Sequence, residues 1–345
     1  MARLAQLRLS MSVAVLLVAV IFSAFLVAIM YIFRLPLIFA LFGTLLFILI
    51  EYLIGPAIVR LSTRLRYLRS GEHPWLESTV KDLAQKSEIP MPKLAVVPDP
   101  TPNAFVFGRT TRDATLAVHE GLLKQLNGGE IRGVIGHELG HIRHKDFLVM
   151  TVLSALPLLA YLIARLSFRA ALVADGGKKK GGEIPLRLLL IAAAAVSYVV
   201  YIVTLLCVMR LSRLREHYAD AYSAYVTGEP RQLESALTKI TYGLSLSPNP
   251  VHGARTLYIG DPALAKQECQ GILQRREEYD LDRDGVLDER ELELAMEREA
   301  KSKWTTVNTW FATHPPTYQR VLLLREIGRE MESGRYASDR IYAHV

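Results

Sequence analysis

The chain has 345 residues, a formal net charge of +7 and an apolar share of 51%, enough for one large or two small domains with a proper core. The positive balance invites a nucleic-acid partner, but the basic residues gather at the borders of long apolar runs, which argues for no nucleic acid and for a lipid bilayer instead. The two cysteines, Cys207 and Cys269, exclude a disulfide framework and fit reducing surroundings for the soluble parts.

From Leu9 to Phe33 no residue is charged, and a second apolar run opens at Leu35, with Glu51 marking its polar end. Crossing the hydrocarbon core as a helix takes roughly 20 apolar residues, and a backbone in lipid must satisfy its own polar groups. Spans at about 9–33 and 35–54 are therefore predicted. Arg3 and Arg8 resemble the start of a cleaved leader, but the apolar run is too long, no small-residue cleavage site ends it, and Pro36 opens the next span at once. The expectation is an uncleaved hairpin turning at Arg34. With the basic linker carrying Arg60, Arg64, Arg66 and Arg69, it makes up residues 1–69.

A first soluble block covers 70–146. Its pattern predicts a helix over Pro74–Gln85, strands near Leu94–Val97, Ala104–Phe107 and Ala114–Val118, and a helix from about Gly129 to Arg143. That last helix carries His137-Glu138-Leu139-Gly140-His141, an H-E-x-x-H pattern. Residues four apart share one helical face, so both imidazoles can reach one ion, and Glu138 can lie beside a water on that metal.

A second hairpin occupies 147–210, with spans at about 147–167 and 187–210 and a polar loop at Gly176–Gly182. Basic residues hold loops on the cytoplasmic side, so Arg3, Arg8, the Arg60–Arg69 group and Arg210, Arg213 and Arg215 place both termini and the soluble blocks inside. Arg165, Arg169, Lys178, Lys179, Lys180 and Arg187 run against this. Either the early spans set the orientation, or the last two helices stop short of crossing.

The second soluble block, 211–345, reads as mainly helical with breaks near Ser247–Gly253 and Asp280–Asp288. Glu216 and Asp220 stand one helical turn apart just after the fourth span. Glu216 is the best candidate for a third metal ligand, and Asp220 for the acceptor of a ligating histidine's second N–H. Two membrane crossings separate His141 from Glu216, which returns them to the same side. His73, His119, His144, His217, His252 and His344 lack partner spacing and read as surface, helix-end or packing residues.

Together these motifs resemble the HtpX-type integral-membrane zinc metalloproteases, relatives of the CaaX prenyl proteases. The resemblance covers most of the chain. It rests on Asn103-Ala104-Phe105, Gly121-Leu122-Leu123, His137–His141 followed by His144 and Asp146, Glu216–Asp220, Thr313-His314-Pro315-Pro316 and Arg320. It implies an α+β, mainly helical fold with a gluzincin-like zinc protease domain built around four transmembrane helices. It also implies zinc held by His137, His141 and Glu216, Glu138 as general base, His314 assisting at the oxyanion, and Asn103 and Ala104 on an edge strand that pairs with substrate. The expected activity is endopeptidase cleavage of unfolded or membrane-associated polypeptides at the cytoplasmic face, in membrane protein quality control. A non-catalytic calcium-binding membrane adaptor and a prenyl-peptide protease are the rivals. The intact Glu138 beside three plausible ligands favours an enzyme, and four spans favour the HtpX branch.

One segment departs from that pattern. Asp280 to Glu291 fits an EF-hand loop, with oxygen ligands from Asp280, Asp282, Asp284, Asp288 and Glu291, the carbonyl of Val286, and Gly285 at the sharp turn. It reads as an insertion at about 262–303, flanked by helical sequence, with capacity for Ca2+ as either a structural staple or a sensor that moves His314.

Overall fold

The computed structural model describes residues 2–174, 185–245, 258–261, 264–266, 269–270, 274–282, 291, 294–295, 312–334 and 341–342. The chain divides into two compact units. One comprises Gln6–Gly55 and Leu148–Leu211, and the other is built mainly from Pro56–Phe147 and Ser212–Val345.

Four helices are long and apolar enough to cross a membrane. Helix α1 spans Ala2–Ile32 and α2 spans Leu37–Thr63. Between them Arg34 sits at φ 54, in the left-handed region that lets the chain turn. Val18, Phe22, Phe25 and Ile29 form one stripe of α1 at helical spacing. They pack with Leu153, Leu156 and Ala160 of α6 (Asp146–Val173) and with Ala193, Val208 and Leu211 of α7 (Leu186–Thr227). No residue of α2 is buried, so apolar side chains such as Phe39, Phe42 and Leu53 face outward all round it. Helix α2 also runs past Glu51 and through Pro56 to Thr63, nine residues beyond the expected end of that span. The hydroxyls of Ser62 and Thr63 donate to Val59 O where the helix stops.

The other unit carries a four-stranded sheet of order β1-β2-β4-β3. Its strands are β1 (Arg66–Tyr67), β2 (Lys93–Val97), β3 (Ala104–Phe107) and β4 (Thr115–His119). The central β2 and β4 pair in parallel, and β1 and β3 add antiparallel at the two sides. Ordinary alternation does not predict β1, because both its residues are exposed. Helix α3 (Pro74–Lys86) opens with proline at its first turn. Short α4 (Glu120–Gln125) follows β4 directly.

Helix α5 (Gly128–His144) starts from a capping box in which Asn127 and Glu130 satisfy each other's backbone N–H. It ends at Lys145, whose φ of 60 turns the chain straight into α6. Val134, Ile135, Leu139 and Ile142 of α5 enter the main core with Leu83, Leu116, Leu233, Ile240 and Leu324. Close approach to α7 and α8 (Pro230–Ser245) depends on three glycines of α5. A Cβ on Gly133 would stand 3.0 Å from Leu233 N, one on Gly136 2.9 Å from Ser223 Oγ, and one on Gly140 3.2 Å from Ala219 Cα. Helix α9 (Thr317–Glu332) packs on α8 and completes this side.

Helix α7 runs unbroken for 42 residues. The expected division at residue 210 therefore falls inside one helix. Most of the predicted insertion at 262–303, including Asp284, Val286 and Asp288, lies outside the described residues, as do the loop at 176–182 and the break at 247–253.

Candidate metal centre

His137, Glu138 and His141 lie on α5, and Glu216 and Asp220 lie on α7. The Nε2 atoms of His137 and His141 are 3.1 Å apart. Glu216 Oε2 lies 3.5 Å from the first and Oε1 3.5 Å from the second. Zinc bonds its N and O ligands tetrahedrally at about 2.0–2.2 Å, which separates ligand atoms by roughly 3.4 Å. The three donors thus stand at the spacing of a zinc ligand set. Glu216 Oε2 is buried with no hydrogen bond of its own, Arg320 Nη2 standing 3.7 Å away, so the oxygen is open to a bound cation. Residue types, spacing and this open oxygen all fit the ion.

Each histidine is oriented from behind. Nδ1 of His137 lies 2.9 Å from Asp220 Oδ1, and Asp220 in turn accepts two bonds from Arg320. Nδ1 of His141 lies 2.6 Å from Asp146 Oδ2, and Asp146 Oδ1 meets Arg215. A carboxylate accepts, so Nδ1–H is the donor in both rings, which leaves each Nε2 to face the metal once its ring is neutral. The sequence reading assigned Asp220 but missed the role of Asp146 and Arg215. The available signal was an Asp placed where the ligand helix ends and the next begins.

Burial pushes Glu138 up to about 7. It also pushes His141 down to about 4, which keeps that ring neutral as ligation requires. At His137 burial acts downward too, but Asp220 and Glu216 outweigh it and hold the ring up to about 9 in the metal-free protein.

His314 is buried, with Nε2 3.6 Å from Glu216 Oε1, so the centre does gather it. Its Nδ1 is 2.9 Å from Thr313 Oγ1, and the Thr313 hydroxyl donates to Asp261 at 3.3 Å. Asn103 is buried and its Oδ1 accepts from Ile259 N–H at 3.0 Å, so that side chain serves the protein's own backbone. Ala104 opens β3, the outermost strand beside β4. Elsewhere, Asp280, Asp282 and Glu291 bring one carboxylate oxygen each within 4.8 Å of one another.

A family model described as Peptidase family M48 matches residues 70–328. The chain is 32% identical over 283 residues to a "Protease HtpX homolog" of Aeropyrum pernix, covering 80% of this chain and 82% of that protein. Against a "Protease HtpX homolog" of Methanothermobacter thermautotrophicus it is 37% identical over 238 residues, covering 69% and 82%. A crystal structure of Ste24p from S. mikatae aligns over 93% of this chain and 67% of that one, at 17% identity and a TM-score of 0.48.

Proposed function

The chain belongs to peptidase family M48 and is a membrane zinc metalloprotease, and from that premise we propose that it is an endopeptidase for unfolded or membrane-associated polypeptides. The observation that carries the proposal is the convergence of His137, His141 and Glu216 with buried Glu138 on the same helix.

Zinc held by His137, His141 and Glu216 would supply Lewis-acid activation of water and of the scissile carbonyl. Glu138 takes the proton of the attacking water and returns it to the leaving amine. Burial raises its carboxyl above the ordinary carboxylate range, which favours taking a proton from the water. His314 is assigned to assist at the developing oxyanion in its protonated form, since Thr313 Oγ1 already takes the Nδ1–H bond and only the imidazolium also donates from Nε2, the atom beside Glu216.

The open side of β3 supports recognition by strand addition. Asn103 O accepts from His119 N–H at 2.9 Å. By antiparallel alternation Ala104 directs its own amide and carbonyl to the opposite edge, where no strand pairs among the described residues. Asn103 contributes by holding the start of that strand. An extended, unfolded segment is what such an edge accepts, since main-chain bonds rather than side chains provide the affinity. The basic residues flanking the spans support a cytoplasmic site and termini, and substrates of this kind support a part in membrane protein quality control.

We propose further that the 280–291 loop binds Ca2+. The match at each ligand position and the convergence of Asp280, Asp282 and Glu291 support it.

The test is zinc content and casein cleavage of the purified protein beside its Glu138→Gln variant. We expect about one zinc in each and cleavage by the first alone. Zinc in neither would remove the ligand assignment. Equal cleavage by both would remove the role of Glu138.

A further inference from the structure

We propose that Asp146 and Arg215 are positioning residues that set the ring of His141 and tie it to the helix carrying Glu216. This rests on the reading above that His141 is a zinc ligand. His141 is the weaker-anchored of the two histidines. It lies in the last turn of α5, and its side chain keeps 15% exposure against 1% for His137. A ring in a final helical turn has less around it to hold a rotamer, and a ligand off its angle binds metal poorly.

The chain supplies the missing support locally. Lys145 reverses direction in the left-handed region, so Asp146, the first residue of α6, folds back onto His141 Nδ1 at 2.6 Å. Its second oxygen meets the guanidinium of Arg215. Arg215 is buried and immediately precedes Glu216 on α7. One carboxylate therefore joins the end of the α5 ligand helix to the α7 ligand helix.

A buried ion pair is weak evidence for stability, because desolvation offsets most of the attraction. The position of this pair points to orientation instead. It repeats the arrangement behind His137, where Asp220 joins the ring to Arg320 of α9. Each histidine then has its own Asp–Arg support, built from α6 and α7 behind His141 and from α7 and α9 behind His137.

The experiment measures zinc affinity by chelator competition, and the absorption bands of the cobalt-substituted protein, with wild type and His141→Ala as references. Asp146→Ala is expected to weaken zinc about 10–100-fold and to change the cobalt bands, as loss of a ligand-orienting carboxylate does. Asp146→Asn, which keeps an acceptor and guards against misfolding, is expected to fall between. Arg215→Met is expected to weaken zinc and Arg215→Lys to restore part of the loss. If His141→Ala binds zinc as wild type does, the ligand reading itself fails. If affinity depends on His141 while the Asp146 and Arg215 variants match wild type in affinity and bands, this proposal alone is overturned.

Discussion

Arg320 grips Asp220 with two parallel bonds, Nε to Oδ2 at 2.8 Å and Nη2 to Oδ1 at 2.7 Å, across 100 residues of chain. The same arginine donates to Ile259 O, and both Arg320 and Asp220 are buried. Planar bidentate geometry is what a guanidinium offers and an ammonium does not. Arg320→Met should leave Asp220 with His137 as its remaining charged partner, at a cost of up to about 3–5 kcal/mol. Arg320→Lys keeps the charge but loses the fork and should fall between. Thermal unfolding of the zinc-free proteins checks the order. Equal stability of all three would contradict the structural role given to this pair.

Zinc uptake should depend on pH through His137. Its folded-state value of about 9 lies above the ordinary value of 6.5. In the metal-free protein the pairing with Asp220 and Glu216 therefore adds stability that is complete below 6.5 and disappears as pH rises through about 9. Zinc needs the neutral ring, so binding displaces that proton anywhere below about 9. Apparent affinity should drop about tenfold per unit from pH 8 to 7. Calorimetry in buffers of different ionisation enthalpy counts the released protons, and a count near zero would contradict the assignment.

The centre was legible in the sequence because its chemistry is local. His137, Glu138 and His141 sit within five residues, and Glu216 and Asp220 within another five. The β2, β3 and β4 strands were legible because burial on both faces makes them continuous apolar runs. What escaped was whatever depends on distant partners. β1 exists only because Arg66 and Tyr67 meet Val96 and Ala95. In sequence Arg215 is one more membrane-border cation, and only its contact with Asp146 sets it apart. Glu51 is a polar signal in the sequence, yet the helix that contains it simply continues to Thr63.

The glycines of α5 give a packing prediction. At Gly140 a Cβ would meet Ala219 Cα at 3.2 Å and Tyr222 Cδ1 at 3.2 Å. Ala219 lies between Glu216 and Asp220, so a branched side chain here should push the ligands of α7 away from those of α5. Gly140→Val should lower zinc affinity at least tenfold while helical content stays near wild type, with an overpacking cost of about 1–3 kcal/mol. Circular dichroism and chelator competition on one sample separate the two effects.

Gly121 is tighter still. A Cβ would stand 1.9 Å from Pro100 O, and the Gly121 N–H already donates to Asp99 O at 3.0 Å. The obstacle is backbone, which cannot swing aside. Asp99 also accepts from Thr101 N–H at 2.8 Å, two residues before Asn103. Gly121→Ala should therefore displace the approach to β3, costing upward of about 2 kcal/mol and lowering casein cleavage more than zinc content. Unchanged stability would mean that the 99–101 turn can move.

Glu291 Oε1 accepts from the N–H groups of Leu281 at 2.5 Å and Asp282 at 3.4 Å, so the described part of the loop is already curled around its twelfth position. A loop held in shape before the ion arrives loses less entropy on binding. With a dissociation constant of about 10⁻⁵ M, calcium at about 1 mM should stabilise the protein by about 2.7 kcal/mol. Glu291→Gln should remove most of that shift. The route to the active site is short in sequence. Asp261, just before the insertion, accepts from the hydroxyl and N–H of Thr313 at 3.3 and 3.4 Å, and His314 follows at once. If casein cleavage rises across micromolar calcium in wild type but not in Glu291→Gln, the loop is a sensor acting through that contact. If only the melting temperature moves, it is a staple. If neither moves, the loop does not bind calcium.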